Sequence, residues 1–195
     1  MRYTLISEKA SEYLAKELNY DEEKQQVLAY AVENILLTVM GFVVVIAVGV
    51  LLQAPLETLL ASISGIILRK FSGGAHASTR TKCLIIGAIL YPGAGWLIKN
   101  LSPFGGYQAV VLLALGIVSF LLVFLYAPVD SPAKPIVSPE FRRRLRNGSI
   151  GTVLICMGIA IISMNQVWAL PLVAGLFVQS LSLLPFLNKG GENNA

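Results

Sequence analysis

From Asn147 to Asn188 the chain carries no Asp, Glu, Lys or Arg. A water-soluble fold rarely sustains so long an uncharged run, whereas two passes of about 20 residues through hydrocarbon require one. A tight turn is expected near Asn165-Gln166, with Trp168 at a membrane–water interface. Composition extends the argument to the whole molecule. Charged residues make up 13% and hydrophobic residues 55% of the 195 positions, against about 25% charged in soluble domains. The expected fold is all-α: a polytopic transmembrane helix bundle of about six spans, forming a single integral-membrane domain over residues 1–195.

The other spans follow in order. Residues 1–20 read as an amphipathic helix, with Ile6, Ala10, Tyr13, Leu14 and Leu18 on one face and Glu8, Lys9, Ser11, Glu12 and Lys16 on the other. Such a helix lies on the bilayer surface or packs under the bundle. Asp21-Glu22-Glu23 favours a helix start, because acidic residues complement the positive end of the helix dipole. A first span runs from Val27 to Leu51 and contains Glu33 and Asn34; a second runs from Pro55 to Phe71. The third apolar stretch, Cys83 to Ile98, is short and holds Pro92-Gly93-Ala94-Gly95, so a kinked span or a broken, partly re-entrant one is expected. Tyr107–Tyr126 is a clean fourth span, and a long polar loop covers Ala127–Gly148. No signal peptide is expected, since no apolar core lies near the start, and the polar tail 189–195 is expected to be disordered.

Six spans put both termini on one side. Arg2, Lys9, Lys16, Lys24, Arg69, Lys70, Arg80, Lys82, Lys134, Arg142, Arg143, Arg144, Arg146 and Lys189 then share that side, leaving only Lys99 on the other. The positive-inside rule makes the loaded side cytoplasmic, where thiols stay reduced. Several chemistries are disfavoured. Two cysteines provide neither a disulfide framework nor zinc-ligand spacing, and a single histidine argues against a metalloprotease. Neither HExxH nor a P-loop occurs. No metal, no other cofactor and no nucleic-acid partner is expected.

The stretch Phe71-Ser-Gly-Gly-Ala-His76-Ala-Ser-Thr-Arg-Thr-Lys-Cys83 is a polar loop between apolar segments, and it holds the only histidine with one of the two cysteines. A nucleophilic thiol needs a base to form its thiolate, and an imidazole suits that task near neutral pH. On one continuous helix the two residues would share a face but stand roughly 10 Å apart along the axis, too far for a hydrogen bond. The chain must bend between them. Gly73 and Gly74 allow a turn ahead of the histidine, and Ser78 or Thr79 is suited to cap a helix that starts before Cys83. On physical grounds alone, an ordinary solvated loop with an incidental histidine and a buried cysteine stays open.

This loop resembles the accessory gene regulator B (AgrB) family, membrane-embedded cysteine endopeptidases of Gram-positive quorum-sensing systems. The resemblance lies in Gly73-Gly74-x-His76-Ala77, with Cys83 seven residues after the histidine and Arg69 before the glycines. It continues in Tyr126-Ala-Pro128-Val-Asp130-Ser-Pro-Ala-Lys-Pro135-Ile, which looks like the family's loop after its fourth apolar segment, and in the hydropathy layout. It implies a Cys83 nucleophile, His76 as general base and acid, and a short AgrD-type propeptide as substrate. The propeptide loses its C-terminal tail, and its own thiol or hydroxyl closes a thiolactone or lactone. A homodimer in the cell membrane is also implied. The substrate's acidic part would be attracted by Arg69, Lys70, Arg80, Lys82 and the cluster Arg142, Arg143, Arg144 and Arg146, and Gly73 and Gly74 are expected to bind the substrate beside them. Positive-inside bias and anionic lipid would generate the same basic clusters with no peptide at all.

A thiol–imidazole pair often uses a third group to orient the ring. Between Glu57 and Asp130 the chain has no acid. Glu33, an acid inside the first apolar span, is the candidate orienter, with Asn34 and Asp130 as rivals; snorkelling to water is its structural alternative. Cys156, amid Ile155 and Met157, is expected to be inert. Two other functional classes compete: a non-catalytic scaffold or transporter subunit, and an intramembrane protease of the CAAX-processing type. The latter needs more Glu and His in its spans than this chain has.

Overall fold

The computed structural model describes residues 9, 12–14, 16–17, 21–75, 80–101, 107–130 and 138–188. The described residues of the N-terminal stretch are helical, in line with the expected amphipathic helix. The tail 189–195 and the candidate caps Ser78 and Thr79 lie outside the described residues. Six α-helices follow among the described residues: α1 (Glu22–Leu51), α2 (Pro55–Ser72), α3 (Arg80–Leu101), α4 (Gln108–Tyr126), α5 (Pro139–Ile162) and α6 (Ala169–Leu181). They match the six expected apolar segments in order. A short 3-10 turn, Pro185–Leu187, comes after α6.

The chain divides into two compact units, residues 1–44 and 45–195. In the first, Asp21 starts α1: its carboxylate accepts the Lys24 backbone N–H at 3.0 Å and pairs with the exposed Lys24 ammonium at 3.5 Å. An N-cap carboxylate satisfies one of the orphan donors of the first turn and complements its dipole.

Among the described residues four helices are long and apolar enough to cross a membrane: Lys24–Leu51, Lys82–Leu101, Gln108–Tyr126 and Pro139–Ile162. Helix α2 falls short by composition, since Glu57, Arg69 and Lys70 all lie within its 18 residues. Helix α6 falls short by length, because 13 residues rise only about 20 Å against hydrocarbon of about 30 Å. Yet α6 is the hub. It packs most extensively on α2 and also touches α3, α4 and α5. Ala169, Leu170, Pro171, Val173, Ala174, Gly175 and Leu176 are all buried, so it is apolar on every face, as a helix enclosed by others must be. An added Cβ on Gly175 would collide with the Ala61 carbonyl oxygen and the Ser64 hydroxyl on α2. Small residues of this kind let helix backbones approach closely where lipid supplies no hydrophobic drive. Two apolar clusters result, one around Ile98, Leu112, Ala160 and Leu170, the other around Leu68, Val123, Val153 and Leu176.

One pair of alternatives is decided and one expectation needs correction. The third apolar stretch is not broken: α3 is a single helix of 22 residues that continues across Pro92. It gains length by starting at Arg80 and ending at Leu101, and neighbouring helices make an internal proline tolerable. The polar loop after α4 does not extend to Gly148. Ser138 accepts the Phe141 N–H at 3.4 Å and Pro139 occupies the first turn, so α5 begins there and carries Arg142–Arg146 on its first turns. The turn expected near Asn165-Gln166 falls between α5 and α6, closed by Gln166 N–H to the Ser163 carbonyl at 2.8 Å.

Candidate active site

Helix α2 ends in Arg69, Lys70, Phe71 and Ser72, and the chain turns at once through two glycines with positive φ, Gly73 at 66° and Gly74 at 130°. Side chains with a Cβ rarely adopt such backbone. Space excludes them too: a Cβ on Gly73 would lie 2.6 Å from the Val129 carbonyl oxygen, and one on Gly74 would meet the Ser182 hydroxyl and the Gln179 amide.

Polar groups from distant parts of the chain hold this turn. The Arg69 guanidinium donates to the Ala75 carbonyl at 2.8 Å and to Gln179 Oε1 at 3.4 Å. Gln179 Nε2 donates to the Gly73 carbonyl at 2.8 Å and reaches Ser72 Oγ at 3.5 Å. The Ala75 N–H donates to the Ser182 carbonyl at 2.9 Å, and the Val129 N–H to the Ser72 carbonyl at 2.9 Å. The last bond joins the two loops singled out in the sequence, since Val129 follows α4. Asn188 Nδ2 donates to the Ser182 carbonyl at 3.1 Å, steadying it from beyond α6. The backbone is thus fixed up to the residue before the histidine.

His76 itself lies outside the described residues, as does the side chain of Arg80. Cys83 is described, with its thiol exposed in the first turn of α3. Cys156 instead packs part-buried beside the cluster of Leu68, Val123 and Leu176. Lys70 and Lys82 are exposed. On α5 the basic residues divide. Arg142 pairs with Asp130 at 2.9 Å. Arg146 donates to the Phe124 carbonyl at 3.3 Å and lies 5.3 Å from the centre of its ring. Arg143 and Arg144 are exposed, with no partner among the described residues. Glu33 lies half-buried on α1 in the other unit and is not without a partner; the side chain of Asn34 lies outside the described residues. Among the described residues no group of three His, Cys, Asp or Glu gathers to hold a metal.

The residues that local sequence reasoning missed are Gln179 and Ser182. A signal existed: Gln179 is the one amide within the apolar segment Ala169–Leu181. An amide there is expensive unless its hydrogen bonds are made.

Together these features define a multi-pass membrane protein with a clamped glycine turn and an exposed thiol shortly after it. Comparison with known proteins specifies it further. The chain belongs to the accessory gene regulator B family, whose AgrB model matches residues 7–183, and membership places it in accessory gene regulation. It is 33% identical over 173 residues to an AgrB-like protein of Clostridium perfringens strain SM101, covering 85% of this chain and 80% of the relative. It is 30% identical over 172 residues to an AgrB-like protein of Listeria innocua, covering 87% and 81%. No solved structure matches it.

Proposed function

We propose that the protein is a membrane-embedded cysteine endopeptidase that trims the C-terminal tail of an AgrD-type propeptide and promotes its cyclisation. The observation that carries this reading is the exposed Cys83 thiol, in the first turn of α3, after a turn clamped up to the residue that precedes the only histidine. Cys83 Sγ attacks the scissile carbonyl carbon. His76 takes the thiol proton and returns it to the leaving amine, so a thioester to Cys83 forms as the peptide bond breaks. A thiol or hydroxyl within the peptide then attacks the thioester, forming the ring and releasing the Cys83 thiol. Holding that internal nucleophile close while excluding water favours ring closure over hydrolysis.

The basic residues supply the complementary charge. Arg142 and Arg146 are committed to Asp130 and Phe124, which leaves Arg143 and Arg144 on α5, with Lys70 before the turn, to meet an acidic peptide. Both termini and the thiol belong on the cytoplasmic side by the positive-inside rule. Homodimerisation and a Gram-positive origin, implied by the family likeness, belong to the same reading.

The test is cleavage of a co-expressed propeptide. Cys83→Ala abolishes it while membrane insertion persists, and Cys156→Ala leaves it intact. Full cleavage by Cys83→Ala would falsify the mechanism and favour a non-catalytic scaffold.

A further inference from the structure

Gln179 is the polar group that the proposed chemistry does not absorb. It is only 2% exposed, on a helix whose other buried residues are almost all apolar. A leucine would fill a similar volume with no polar group to satisfy, so the identity of the residue calls for a reason. Its hydrogen bonds give one. They cross 106 and 110 residues of sequence to the turn after α2 and to Arg69. Gln179 Nε2 donates to the Gly73 carbonyl, the first after the helix ends, and Gln179 Oε1 accepts from Arg69 Nη1. The other terminal nitrogen of Arg69 holds the Ala75 carbonyl, one residue before His76.

A tie that served only to pack α6 against α2 would have no need of these atoms. Gly175 already brings the two helices into backbone contact through Ala61 and Ser64. Gln179 instead completes a relay from α6 through Arg69 to the peptide group that leads into the histidine. From this we infer that Gln179 is a positioning residue for the thiol–imidazole chemistry, setting through Gly73 and Arg69 the backbone from which His76 departs. The inference rests on the peptidase reading, in which His76 raises the nucleophilicity of Cys83.

The experiment uses the full chain in lipid vesicles with Cys156→Ala, so that Cys83 is the only thiol. The rate of Cys83 alkylation by iodoacetamide is followed from about pH 5 to pH 9, which brackets the imidazole range. Gln179→Leu should lower the rate at neutral pH by roughly three- to tenfold and bring the pH profile to within about twofold of that of His76→Ala. Gln179→Glu keeps an acceptor for Arg69 but loses the N–H to Gly73, and its profile should fall between the two. A packing role alone would change thermal stability and leave the profile in place. Gln179→Leu with the parent profile overturns the inference. Should that variant fail to insert, a parent profile for Gln179→Glu overturns it equally. If His76→Ala itself keeps the parent profile, the thiol–imidazole reading fails and the inference falls with it. If His76→Ala shifts the profile and the Gln179 variants do not, only the inference fails.

Discussion

Replacing Gly73 by alanine tests the clamped turn directly. The residue adopts φ 66° and ψ −138°, a region open almost only to glycine, and a side chain there costs about 1–3 kcal/mol. The new Cβ would also stand 2.6 Å from the Val129 carbonyl oxygen. That oxygen cannot drift freely, because the N–H of Val129 is bonded to Ser72 at 2.9 Å. Overpacking of this kind costs about 1–3 kcal/mol more. The combined strain is local, and the cheapest relief is to move residues 73–75 away from Val129, breaking the Gly73–Gln179 bond. The expected outcome is a fall in propeptide cleavage of at least roughly thirtyfold, corresponding to about 2 kcal/mol, with unchanged membrane insertion and helix content. Quantitative cleavage assays in vesicles, beside circular dichroism, check it. Gly87→Ala is the matched control: nothing lies within 4 Å of its Cβ, and an added methyl in a helix is neutral to slightly stabilising. Parent-like cleavage by Gly73→Ala would refute both the backbone geometry assigned to the turn and its link to catalysis.

Gly175→Ala should destabilise the protein by about 1–3 kcal/mol, since its Cβ meets the Ala61 backbone oxygen, which cannot rotate aside; a thermal melt in detergent reads the loss. Thr58→Val should be neutral or stabilising by up to about 1 kcal/mol, because the buried Thr58 hydroxyl has no hydrogen-bond partner among the described residues; the same melt checks the sign. Arg143→Gln with Arg144→Gln should raise the KM for an acid-tailed propeptide several-fold at low salt and by much less at high salt, whereas Arg146→Gln should act mainly on stability through Phe124.

The spans were legible because charge is so costly in hydrocarbon that its absence marks them. The uncharged run after Asn147 did yield two helices with a turn at Ser163–Trp168. The start of α5 was obscured because five arginines and lysines with several prolines look like a loop. The stronger local signal was Ser138-Pro139-Glu140, a cap followed by a first-turn proline. The continuity of α3 was obscured because proline's effect depends on neighbours that local pattern does not contain. The central position of α6 was equally hidden, since an apolar run facing lipid and one enclosed by protein read alike. In the site, Arg69, Gly73, Gly74 and Cys83 stood out locally. Gln179 did not, because its meaning lies in partners more than a hundred residues away.

The order in which the clamp is made has a consequence for the cell. Gly73 and Gln179 are 106 residues apart, so at roughly 5–20 residues per second their synthesis is separated by about 5–20 s. During that interval α2 and the turn after it exist without the amide that holds Gly73 and the Ser182 carbonyl that holds Ala75. The glycine turn ahead of the histidine acquires its clamp only when the last apolar helix enters the bundle. Synthesis therefore acts as a timer: a ribosome-bound or truncated chain that lacks α6 carries Arg69, Gly73 and Cys83 in the right order and still lacks the groups that hold Gly73 and Ala75.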